Sequence, residues 1–115
     1  MTSVEVAKLA AATIDSRKGE GIRVVDVRGV SPLADYIVIA TATSAPHLRG
    51  LQTELAKVLR EKAGEDSKRT SGDAQSAWMV LDYFDVMIHL FLPEARTYYA
   101  IESLWEKGRD VAWDS

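Results

Sequence analysis

Residues 78–92 read WMVLDYFDVMIHLFL, and the periodicity of this stretch decides the fold. Two apolar runs, Trp78 to Leu81 and Val86 to Leu92, flank the break Asp82-Tyr83-Phe84-Asp85. Runs this short, rich in β-branched and aromatic residues, are strands rather than helices. The break predicts a tight turn at Phe84-Asp85, so the two strands form an antiparallel hairpin. Alternation then assigns faces. Trp78, Val80 and Asp82 share one side of the first strand. In the second, Val86, Ile88, Leu90 and Leu92 face one way and Met87, His89 and Phe91 the other. A histidine in the middle of an apolar strand has two readings. Either it is a hydrogen-bonded core residue, or it belongs to a face that receives a partner, where Trp, Tyr, Met and Phe around a few fixed polar groups form an interface core.

Working outward, Ile22 to Arg28 (IRVVDVR) is a β-branched run, punctuated by Gly29 to Pro32. Tyr36 to Ala42 (YIVIATA) is apolar at nearly every position, as expected of an interior strand covered on both faces. Thr2-Ser3-Val4-Glu5 has capping-box spacing, and Val4, Ala7, Ala11 and Ile14 recur at helical period behind it. Thr43 or Ser44 caps a second helix with Pro46 in its first turn, a stripe of Leu48, Leu51, Leu55, Val58 and Leu59, and Gly64 as the stop. A short edge strand is expected around Lys68 to Thr70. After Pro93 a helix carries Ala95, Tyr98, Ile101 and Trp105 on one side, and residues 108–115 read as a tail. The order predicts one α/β (α+β) domain with a mixed sheet of about five strands and helices packed on it.

At 115 residues the chain is one domain able to bury roughly two-thirds of its unfolded surface. A net charge of −3 argues against a protein built to wrap phosphate backbones. The absence of cysteine excludes disulfides and thiolate metal sites. Glu5 stands where a signal peptide needs basic residues. The longest stretch without Asp, Glu, Lys or Arg, Tyr36 to Leu48, is too short and too polar to span a bilayer. A cytoplasmic protein is expected.

Candidate chemistry is sparse. His47 and His89 form no HxH or HxxxH pair, so no metal site is expected. Ser44, His47 and Asp35 can be assembled into a triad on paper, but the G-x-S-x-G elbow is missing and Ser44 is better used as a cap. The enzymatic alternative is a nucleotide-binding or nucleotidyltransferase-like protein, because a strand running into Thr43-Ser44 and a helix resembles a phosphate-cradling turn. Such enzymes need two carboxylates at i and i+2 on one strand face to share Mg²⁺. No D-x-D or D-x-E follows Ser44, and Asp82 and Asp85 are three residues apart. No catalytic residue and no cofactor is therefore assigned. Lys68-Arg69 reads as an exposed edge, with a minor contact to ribosomal RNA as its functional alternative.

The strings WMVLDYFDVMIHLF and RTYYAIESLW, with DVRGVSPLADY and TATSAPH upstream, closely resemble the signature of the ribosomal silencing factor, or Iojap, family. The likeness runs from about Val4 to Trp105. It implies a mixed sheet like that of a nucleotidyltransferase that has lost its metal carboxylates. It also implies a translational repressor without catalytic activity. Members bind large-subunit ribosomal protein fourteen (uL14) where the small subunit docks and block subunit joining when nutrients run low; some attend large-subunit assembly, and free members are commonly homodimers. On this basis Trp78, Asp82, Tyr83, Asp85, Met87, His89, Phe91, Arg96 and Tyr99 are expected to contact the ribosomal protein. One departure is Phe84, where many relatives have Gly. A type II′ hairpin wants positive φ there, so a different turn or a bulge is expected.

Overall fold

The computed structural model describes residues 1–73, 77–83, 85–99, 103 and 105–114. Helix α1 (Ser3–Ser16) leads into β1 (Glu20–Asp26) and β2 (Tyr36–Thr41). Then follow α2 (Ala45–Ala63), β3 (Arg69–Asp73), β4 (Trp78–Asp82), β5 (Val86–Phe91), α3 (Pro93–Tyr99) and β6 (Arg109–Asp110). The strands form one mixed sheet in the order β3-β4-β5-β2-β1-β6, in which, among the described residues, only β2 and β5 are parallel. Among the described residues the sheet thus has six strands, against the expected five or so. The additional strand comes from the segment expected to be a tail: Val25 and Asp26 pair with Asp110 and Arg109. Two residues are too few to show a strand period in the sequence.

Local signals produce the helices. Thr2 and Glu5 complete the capping box, the Thr2 N–H donating to Glu5 Oε1 at 2.9 Å and the Glu5 N–H to Thr2 Oγ1 at 3.3 Å. Helix α2 begins on Ser44, whose hydroxyl accepts from the His47 N–H, and ends on Gly64 at φ 66°, a left-handed conformation that glycine adopts at little cost. Both helices lie on one face of the sheet. Val6, Ala7, Ala10, Ala11 and Ile14 of α1 and Leu48, Leu51, Leu55 and Leu59 of α2 are buried there against Val24, Val38, Ala40, Leu81, Ile88 and Leu90. The alanines of α1 let its backbone approach closely. Strand β2 is buried at all six positions, as its unbroken apolar run requires.

The second face has a smaller core of Val25, Val27, Ile37, Ile39 and Phe91, with Ala95 of α3 and Trp105 packed on it. Past Tyr99 the expected continuation of α3 through Ile101 lies outside the described residues; Trp105, expected on that same helix, instead lies beyond α3 in a 3₁₀ turn, from which it packs on the cluster that holds Ala95.

Candidate functional site

Strands β4 and β5 pair as the alternation predicts: Trp78 opposite Phe91, Val80 opposite His89, Asp82 opposite Met87. These six residues share the face away from α1 and α2. At the tip the Tyr83 N–H donates to Val86 O (2.9 Å) and the Asp85 N–H to Tyr83 O (3.1 Å). Phe84, and with it the turn type, lies outside the described residues. On the neighbouring strand Arg69 stands opposite Asp82 and Ser71 opposite Val80, so β3 widens the same face. Val80, Arg69 and Ser71 were not among the expected contact residues. Alternation already put Val80 there, but nothing in the sequence gives the register of β3.

The expected site residues do not all lie on this face. Trp78, Asp82 and Met87 are half-buried on this face, and Asp85 is exposed at the hairpin tip. His89 and Phe91 point the same way but lie beneath, at 4% and 0% exposure. Tyr83 points to the helix face, at 4% exposure, where burial raises its hydroxyl pKa. It lines a cleft of about 640 Å³ with Lys57, Arg60 and Asp66. Arg96 reaches the opposite end of the sheet, where its Nη1 donates to Gly21 O (2.7 Å) and Thr41 Oγ1 (2.8 Å). Gly21 sits in an irregularity of β1 at φ 56°, and a Cβ there would meet Arg96 Nη1 at 2.6 Å. Arg96 therefore ties the start of β1 to the end of β2. Tyr99 closes α3, and its side chain lies outside the described residues.

His89 is the polar centre of the face. Trp78 Nε1–H donates to its Nδ1 at 3.1 Å. Because indole N–H only donates, Nδ1 is the acceptor and the ring proton sits on Nε2. Nε2 has no hydrogen-bond partner among the described residues. Among the described residues three rings enclose the imidazole, with centroids at 6.0 Å (Trp78), 6.2 Å (Phe91) and 5.1 Å (Trp105). Burial among them lowers the His89 pKa to about 4, so the ring is neutral at ordinary pH. Trp78 also stacks on Phe91 at 5.4 Å and 19°. A valine would fill the space of His89 but would leave the Trp78 N–H without its acceptor. The histidine fixes how the half-exposed indole lies on the surface.

The residues of the paper triad do not converge. His47 Nδ1 accepts from the Thr43 N–H at 2.9 Å, and Nε2 lies 2.7 Å from Arg17 O, to which it donates. Both ring nitrogens thus staple the start of α2 to the end of α1, while Ser44 serves as the cap. Among the described residues no group of three or more His, Asp or Glu converges as a metal site would require, and no helix is long and apolar enough to cross a membrane.

Residues 1–115 match the family model described as ribosomal silencing factor during starvation. The chain is 33% identical over 105 residues to the ribosomal silencing factor RsfS of Halalkalibacterium halodurans, covering 91% of this chain and 89% of that one. It is 35% identical over 110 residues to the chloroplastic protein Iojap of Arabidopsis thaliana, covering 95% of this chain and 43% of the plant protein. A mouse protein named mitochondrial assembly of ribosomal large subunit protein 1 is 36% identical over 73 residues, which is 62% of this chain and 32% of the relative. The fold superposes on a crystal structure from Chromobacterium violaceum with a TM-score of 0.86 at 30% identity, covering 100% of this chain and 94% of the other.

Proposed function

Since the chain belongs to the ribosomal silencing factor (RsfS/Iojap) family, we propose that it represses translation in the cytoplasm by docking on ribosomal protein fourteen of the large subunit. Docked there, it keeps the small subunit from joining when nutrients are short. The observation that carries this reading is the uneven cover of the sheet. One face lies under two helices. The other exposes, on β3, β4 and β5, a strip of Trp78, Val80 and Met87 bordered by Asp82, Arg69 and Ser71. Amphipathic anchors amid a few polar groups are the composition of an interface centre. The name of the mouse relative points to the same subunit.

From Met87 to Trp78 the strip is roughly 13 Å long and three strands, about 10 Å, wide. That is the size of an energetic centre, not of a full interface of about 800 Å² per partner. Contact therefore extends past the hairpin tip to the loop between β1 and β2, which presents Leu33, 72% exposed. That loop is anchored to the tip, since the Asp35 and Tyr36 N–H groups both donate to Asp85 O at 2.8 and 3.0 Å. His89 and Phe91 act from beneath by setting the plane of Trp78. In the free protein a second copy covers the same strip, making a homodimer that docking opens. Catalysis has no part in this scheme.

Sedimentation with isolated large subunits, isolated small subunits and intact ribosomes tests the proposal. Cosedimentation with large subunits alone, and loss of subunit joining in proportion to occupancy, is expected. Binding to small subunits or intact ribosomes with equal affinity refutes it.

A further inference from the structure

We infer that a basic cleft at the β1–β6 edge receives the phosphate backbone of RNA. This inference rests on the large-subunit reading above and adds a second contact to it. The cleft, about 420 Å³, is lined by Asp26, Arg28, Val30, Lys107 and Arg109. Its charge runs against that of the chain: among the described residues the lining carries three cations and one anion, in a protein of net charge −3. The anion is already matched. Arg28 Nε and Nη2 meet Asp26 Oδ1 and Oδ2 at 3.0 and 2.8 Å, and the Arg28 N–H also donates to Oδ1. That clamp holds the Asp26 carboxyl below its ordinary pKa. Asp110, the next acid along β6, is held by Arg23 at 2.9 Å. Glu106 is exposed beside Lys107 and does not line the cleft. Lys107 and Arg109 have neither an ion pair nor a hydrogen-bonded side-chain partner among the described residues, which leaves two exposed positive charges.

These charges are positioned by the fold. Arg109 is opposite Asp26 in the ladder, so the two side chains share a face. Gly108 lets β6 seat: a Cβ there would lie 2.6 Å from Val25 Cγ1 and 2.9 Å from Asp26 O. The turn before it is closed by the Gly108 N–H donating to Trp105 O at 2.8 Å. The cleft is open and, among the described residues, no aromatic ring lines it, so it offers no platform for a base; Tyr36 already lies under the Arg28 guanidinium at 5.4 Å. Long exposed cations with no stacking surface suit a sugar–phosphate backbone rather than a bound nucleotide. Asp26 and Arg109 lie on the sheet face opposite Met87, so the two contacts are separable by mutation.

The test uses the whole chain, labelled with ¹⁵N, titrated with a 12-nucleotide single-stranded RNA and, separately, with inorganic phosphate. RNA should shift the amides of residues 26–30 and 107–110, and binding should weaken about twenty-five-fold between 20 and 200 mM salt for two phosphates neutralised. Lys107→Ala/Arg109→Ala should abolish these shifts; Lys107→Ala alone should reduce them if the double variant disturbs β6. On large subunits the double variant should flatten the slope of log affinity against log salt by roughly 1.5. RNA shifts that fall elsewhere, or that survive in the double variant, overturn the inference. So does inorganic phosphate acting as strongly as RNA at equal phosphate concentration, which marks a small-anion site. None of these results bears on the Trp78–Met87 strip, whose failure appears instead as loss of large-subunit binding by the wild-type chain.

Discussion

At His89 a single ring joins the stability of the sheet to the shape of its exposed face. The fold holds this imidazole neutral down to about pH 4, while in the unfolded chain it takes up a proton near its ordinary value of about 6.5. Between those values the unfolded state binds more protons, so stability falls as pH drops through the window. The total lost at its acid end is roughly 3 kcal/mol, since each pH unit separating the folded and unfolded values is worth about 1.4 kcal/mol. Urea denaturation of the wild type and His89→Gln between pH 6.5 and 4.5 should show a shallower pH dependence in the variant; parallel curves would mean that the ring titrates normally in the folded protein. The two side chains flanking His89 along β5 should separate cleanly. Phe91→Ala removes a fully buried ring and should cost about 3–5 kcal/mol. Met87→Ala truncates a half-exposed side chain and should leave the melting temperature nearly unchanged. Its loss should appear in large-subunit affinity, as about thirtyfold for an anchor of 2 kcal/mol.

Among the elements, the β3–β4 pair depends on one backbone position. Gly72 has φ 77°, and a Cβ there would collide with Trp78 O. Gly72→Ala should destabilise by about 2 kcal/mol or more, the sum of left-handed strain and the clash. It should also weaken docking, because Trp78 would shift; an unchanged midpoint in urea would show that β3 is dispensable. The start of α2 makes the opposite case. Ser44 looked like part of a phosphate-cradling turn, yet its hydroxyl caps the helix. Ser44→Ala should cost about 1 kcal/mol as a lost cap. Calorimetry of the wild type with Mg²⁺ and each nucleoside triphosphate should give no saturable heat, and saturable binding abolished by that substitution would revive the nucleotide-binding alternative.

For the whole molecule, charge and apolar surface are partitioned between different regions. The net charge of −3 and the apolar strip on β4 and β5 predict that large-subunit affinity depends only modestly on salt. The slope of log affinity against log salt should be near −2, set by the β1–β6 edge. A slope several times steeper would mean that RNA, not protein, carries the docking. Sedimentation equilibrium should find the free chain as a dimer, and Met87→Glu, which places a charge in the strip, should shift it to monomer.

Much of this protein was legible from local pattern, because local pattern has local causes. Alternation through residues 78–92 gave the hairpin, its faces and the inward turn of Ile88 and Leu90. The unbroken run at residues 36–42 gave a central strand, and the capping residues gave the starts of α1 and α2. Tertiary structure alone decided what depends on partners distant in sequence. Tyr83 lies beneath the helix face, and Arg96 binds Gly21 and Thr41 across the sheet. Residues 109–110 become a strand only because β1 offers a free edge. His89 is buried because Trp105, sixteen positions further on, closes over it. Periodicity fixes the direction in which a side chain leaves its own strand; whether it then meets water, a helix or an aromatic ring is set by which distant segment packs there.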